Sequence, residues 1–230
     1  VPFVRTGEGE HASCMTPREL CDPEEAEVAK LYRYEECFPK GRFQTTAALI
    51  ALRQLGMRGR LSSSDVVERA RRVEQLSNQG DAGAAVTLGK AVLEYLDRHA
   101  SRLLQEDVGE TMMSTLREIR WLPVLRVHPK GDEYKLEWKG STMQSGLGYA
   151  DKVRPLEQME LVCASMGVLD GQVREREVLR GLGWSEAPEL HVVVQQLEAA
   201  ARVPGALEYV EQVWSLARSV YMHLSQQLRE

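Results

Sequence analysis

Glu74 and Asn78, four residues apart and followed by Asp81-x-Gly83, come nearest in this chain to a nucleotide-handling arrangement: an acidic-asparagine box and an aspartate-glycine segment. Their context argues against that chemistry. ATPases that use such elements carry them on separate segments, whereas these stand three residues apart at one helix end. Asn78, the only asparagine, reads as a helix-terminating residue. Neither GxxxxGK[ST] nor GxGxxG occurs, and the glycines between Gly140 and Gly148 have the wrong spacing for either. Ser141 and Ser145 lack a GxSxG elbow and a neighbouring histidine. His11, His99, His128, His191 and His223 are isolated, and the single pairing of His11 with Cys14 cannot close a tetrahedral metal site. Glu24-Glu25 and Glu35-Glu36 read as helix-end and surface charge. No catalytic, cofactor-binding or metal-binding residue is therefore expected.

Binding chemistry is better supported. Arg53, Arg58, Arg60, Arg69, Arg71 and Arg72 face only Asp65 and Glu68 in the same stretch, inside a chain of formal net charge -5. They form a candidate protein-binding patch for an acidic partner, against the plainer alternative of a solvated helix face. The acidic balance, with a pI near 5.7, gives no field for a phosphate backbone, so nucleic acid is not an expected partner. No apolar run reaches the roughly 20 residues of a membrane span, and no basic n-region or apolar h-region opens the chain. Cys14, Cys21, Cys37 and Cys163 form no CxxC pair in a 230-residue chain large enough to fold without disulfides, which fits a reducing compartment. Val1 in place of methionine points to a piece of a longer polypeptide.

Periodicity supplies the elements. After an extended arm to Met15, Asp22-Pro23-Glu24-Glu25 predicts a helix to about Tyr34. Thr45 or Thr46 caps a second, with Leu49, Leu52 and Leu55 on one stripe and Gly56 closing it. Ser63-Ser64-Asp65 starts a third with Val66, Ala70, Val73 and Leu76 inward. A long amphipathic helix carries Ala85, Leu88, Val92, Tyr95 or Leu96, His99 and Leu103. A short helix through Leu116 precedes a two-stranded excursion over 121–138 around Pro129-Lys130-Gly131-Asp132. Gly140, Gly146 and Gly148 predict a loop, and Glu160 to Leu169 fits strand or helix. Helices follow over 174–182 and 190–202. A final one places Leu207, Val210, Trp214, Ala217, Tyr221, Leu224 and Leu228 on one seam, read as core or as a helix-in-groove surface. The fold expected is mainly α, helical hairpins with a small β excursion around residues 121–138. Residues 1–106 are expected to form a helical subdomain with an extended arm, and 107–230 an α+β subdomain ending in a long helix. Leu52-Arg53-x-Leu55-Gly56 is echoed at Leu179-Arg180-x-Leu182-Gly183, by duplication or by convergence on a good helix ending.

Trp121-Leu122-Pro123-Val124, Leu136-Glu137-Trp138-Lys139-Gly140 and Leu182-Gly183-Trp184 together form a run that resembles the repeat units of the sacsin family of giant chaperone-like proteins. The resemblance extends upstream through Pro17-Arg18-Glu19-Leu20-Cys21-Asp22-Pro23, Phe38-Pro39 and Leu52-Arg53-Gln54-Leu55-Gly56. It covers about 3–200 and departs at Val162-Cys163-Ala164-Ser165, where a Val-Gly-Ser-type turn is expected. It implies a cytoplasmic, non-catalytic scaffold or client-binding segment downstream of a chaperone-type ATPase region, with no cofactor. Neighbouring repeats, chaperones or cytoskeletal clients would be its partners, with no nucleic acid and no membrane. The alternative is a regulatory part of a composite ATPase whose nucleotide site lies in a neighbouring region.

Overall fold

The chain divides into two compact units, Val1–Arg69 and Ala70–Glu230.

The computed structural model describes residues 2–6, 13–126, 144–201 and 210–227. The boundary between the units lies inside a helix, upstream of position 106, at which the sequence divides the chain by pattern. The architecture is mainly α with small sheets.

In the first unit, strands β1 (Val4–Thr6) and β2 (Ser13–Met15) pair antiparallel. Helix α1 (Ala26–Leu31) is six residues long, shorter than the span to Tyr34 that its opening residues predict. Its later start follows from the partners of Asp22. Asp22 accepts the Glu24 N–H at 3.0 Å in a turn, and its carboxylate is drawn to Arg53 instead of capping a helix. Helix α2 (Thr46–Gln54) is capped by Thr45, whose hydroxyl accepts the Ala48 N–H. Leu49 and Leu52 are buried with Val4, Leu20 and Met57, but Leu55 lies beyond the helix and is exposed. Helix α3 (Ser63–Asn78) begins with a reciprocal cap: Asp65 accepts the Ser62 N–H at 2.8 Å, and the Ser62 hydroxyl accepts the Asp65 N–H.

In the second unit, α3 continues with Ala70, Val73 and Leu76 buried. Helix α4 (Ala82–Leu104) is capped by Asp81 and buries Ala85, Leu88, Val92, Tyr95, Leu96 and Leu103, with a kink at His99. Helix α5 (Gly109–Glu118) leads to β3 (Leu122–Arg126). Gly146 and Gly148, which predict a loop, lie instead in β4 (Gln144–Gly148), antiparallel to β3, and Gly140 lies outside the described residues. With β5 (Val153–Arg154) and β6 (Gly167–Leu169) the sheet order is β4-β3-β6-β5, β5 and β6 being parallel. A side chain at Gly148 would meet Val124 Cγ2 at 2.8 Å, and one at Gly167 would meet Val124 Cγ1 at 2.4 Å. These two glycines make room for Val124, so here glycine marks close strand packing and not a loop.

The ambiguous stretch 160–169 is both structures in turn: α6 (Met159–Val162), a turn, then β6. Helices α7 (Arg176–Gly181), α8 (Leu190–Ala201) and α9 (Val210–Gln227) follow. On α9, Val220 is buried whereas Tyr221 is 72% exposed, so the expected seam does not hold at Tyr221. Leu207, Leu228, Trp138 and the turn at 129–132 lie outside the described residues.

Gly56 and Gly183 occupy left-handed positions, φ 100° and 82°. In each case the glycine N–H and the next N–H bond back to the helix: Gly56 to Arg53 and Met57 to Leu52, Gly183 to Arg180 and Trp184 to Leu179. Gly80 closes α3 in the same way without the surrounding LRxLG residues, which favours convergence as the origin of the echo. Trp121 and Trp184 are fully enclosed, their indole N–H groups donating to the carbonyls of Leu116 and Ala150, both at 2.9 Å. Replacing Trp184 with alanine should lower unfolding free energy by about 3–5 kcal/mol. Gly183→Ala should cost about 1 kcal/mol, through strain at a positive φ. Urea denaturation of both variants measures these losses.

Candidate functional site

Three backbone hydrogen bonds assemble a group of polar side chains in the first unit. Arg58 N–H donates to the Leu20 carbonyl and Asp22 N–H to the Arg58 carbonyl, each at 2.9 Å. Cys21 N–H, between them, donates to the Cys37 carbonyl at 2.9 Å. These bonds bring three segments distant in sequence side by side, and the side chains they carry include two arginines, two thiols, a phenol and several acids.

The arginines are engaged inside the unit. Arg53 Nε donates to Asp22 Oδ2 at 2.5 Å and Nη2 to Oδ1 at 3.0 Å, and Nη2 also bonds Glu24. Burial pushes the Asp22 carboxyl up, but the Arg53 hydrogen bonds and the Glu24 N–H outweigh it and hold the group below the usual aspartate range. Arg58 bonds Asp65 at 3.1 Å and the Glu19 carbonyl at 3.0 Å. Arg69 is 3% exposed, so it does not belong to an exposed patch. Its guanidinium bonds Glu35 and Glu68 and lies 4.2 Å from the Tyr32 ring centroid, with Arg58 at 5.4 Å from the same ring. Arg69 stands three residues after Val66 and four before Val73, on the inward stripe of α3. That spacing was the available signal for its burial. Arg60 is exposed. Arg71 and Arg72 fall in the second unit, Arg71 exposed and Arg72 half-buried with Gln75 as a partner.

Beside the arginines lie Cys21 and Cys37, both buried and free. The Cys21 thiol is hydrogen-bonded to Cys37, which raises it together with burial. The same bond lowers Cys37, helped by Arg58 and Arg69 and opposed by burial and Glu35. No local spacing in the sequence announces this pair.

The second unit puts its polar groups to structural use. Glu74 accepts the Arg120 N–H at 3.3 Å and Asn78 accepts from the Arg120 guanidinium at 2.9 Å, so the nucleotide-like pair anchors the chain ahead of β3. Gln196, fully buried, accepts the N–H groups of Ala164 and Ser165 at 2.7 and 3.2 Å and fixes the turn at 162–165. Lys90 and Asp170 pair at 2.7 Å across an open cleft of about 720 Å³, where Asp97 accepts the N–H groups of Arg174 and Glu175. Among the described residues no cluster of three or more His, Cys, Asp or Glu could hold a metal ion, and no helix is long and apolar enough to cross a membrane.

Arg69→Ala removes the ion pairs with Glu35 and Glu68 and the contact with the Tyr32 ring, and should destabilise the chain by about 1–3 kcal/mol. Asp22→Asn should cost about 1–3 kcal/mol at neutral pH. Because the folded-state pKa of Asp22 lies below its unfolded value, its contribution is complete above about pH 4 and is lost as pH falls further. The gap between wild type and Asp22→Asn should therefore narrow below about pH 4 in denaturation curves recorded across pH.

No family model matches the chain, and no solved structure matches it. Human sacsin is 31% identical over 128 residues, 53% of this chain. The match spans 3% of sacsin's own length, so it relates part of this chain to one region of that protein.

Proposed function

We propose that this chain is a non-catalytic scaffold or client-binding segment of a sacsin-like chaperone or co-chaperone. The observation that carries the reading is the 31% identity to human sacsin over 53% of the chain. In this reading the segment works in the cytoplasm and without a cofactor, alongside neighbouring repeats, chaperones or cytoskeletal clients. Its charged contacts with an acidic client fall to the exposed Arg60 and Arg71. Arg53, Arg58 and Arg69 hold the first unit together.

The purified chain should slow aggregation of a heat-unfolded acidic protein, and the effect should fall as salt rises, since screening reaches about 8 Å at physiological ionic strength. Arg60→Glu with Arg71→Glu should reduce that protection with little change in melting temperature, because exposed substitutions cost within about 0.5 kcal/mol. Calorimetric titration with ATP should give no saturable heat. Stoichiometric ATP binding by this chain would contradict the reading.

A further inference from the structure

We propose that Cys21 and Cys37 are a peroxide-reactive dithiol in which the Cys37 sulfur attacks and the Cys21 sulfur resolves. The geometry supports a disulfide. One N–H···O=C bond, 2.9 Å from Cys21 N to the Cys37 carbonyl oxygen, joins the two residues, and their thiols are hydrogen-bonded to each other, so the two sulfurs lie side by side.

The surroundings select the attacking sulfur. Arg58 and Arg69 lie beside both thiols and favour negative charge on either, so the choice falls to the bond between them: the Cys21 thiol donates to Cys37, which places the charge on Cys37. Cys21 is wholly enclosed, while Cys37 retains 5% exposure, enough for contact with an oxidant as small as hydrogen peroxide. Two guanidinium groups beside the thiols oppose a divalent cation, so the pair is better suited to oxidation than to metal binding.

The chemistry balances without a cofactor. The Cys37 thiolate attacks one peroxide oxygen, the O–O bond breaks, and hydroxide leaves to be protonated as water, giving Cys37 sulfenic acid. The Cys21 sulfur then attacks the sulfenic sulfur, its proton goes to the departing hydroxyl, and a second water leaves. Two thiols are oxidised to one disulfide, and one peroxide is reduced to two waters. This inference stands apart from the scaffold reading.

The test is hydrogen peroxide treatment of the whole chain, alkylation of remaining thiols, and non-reducing peptide mass spectrometry. The expected product is a peptide linked through Cys21 and Cys37 that separates on reduction, with Cys163 still alkylated. Cys21→Ser should accumulate a Cys37 sulfenic acid trapped by dimedone, at about tenfold or more the level trapped at Cys21 in Cys37→Ser. If both thiols of the unsubstituted chain remain alkylatable at peroxide levels that oxidise the exposed Cys14, the proposal fails. It also fails if dimedone labels Cys21 in preference to Cys37.

Discussion

A guanidinium taken out of water must meet a counter-charge, and Arg69 imposes that requirement on the first unit. Glu35 and Glu68 supply the charge and Tyr32 supplies a ring face. Tyr32, Glu35 and Cys37 belong to the short segment after α1, so the residue that needs compensation also fixes the segment that compensates it. Arg58 approaches the same ring, and its backbone pairs with Leu20 and Asp22. The thiol pair is a consequence of that arrangement, since Cys21 lies in the paired strip and Cys37 at the end of the segment Arg69 holds.

A run of arginines in sequence is therefore not the same as a positive surface. Arg53 reaches Asp22 and Arg69 reaches Glu35, so acids from elsewhere in the unit neutralise charges that look unopposed in the linear chain, while Arg58 pairs with Asp65 of the same stretch. Arg60 and Arg71 remain exposed. The second unit follows the same logic with neutral groups, where the buried Gln196 amide satisfies the turn that precedes β6.

Local rules were legible where a residue acts on its own neighbourhood. Thr45 caps the helix it precedes, Gly56 and Gly183 end theirs, and the inward faces of α3 and α4 follow helical spacing. Legibility stopped where a distant partner decides. Asp22 looks like the start of a helix, but Arg53 claims its carboxylate. Gly148 looks like a loop residue, but Val124 on the neighbouring strand needs the space. Tyr221 fits an apolar seam, yet it is exposed beside the buried Val220. The pairing of Cys21 with Cys37 depends on the tertiary path of the chain and left no local spacing to read.

A double-mutant cycle on Arg69 and Glu35 tests most directly whether this internal charge pairing organises the first unit. Unfolding free energies of Arg69→Met, Glu35→Gln and the double variant should reveal a favourable coupling of about 1–3 kcal/mol, with the double variant less destabilised than the sum of the single ones. Additivity within about 0.5 kcal/mol would contradict it.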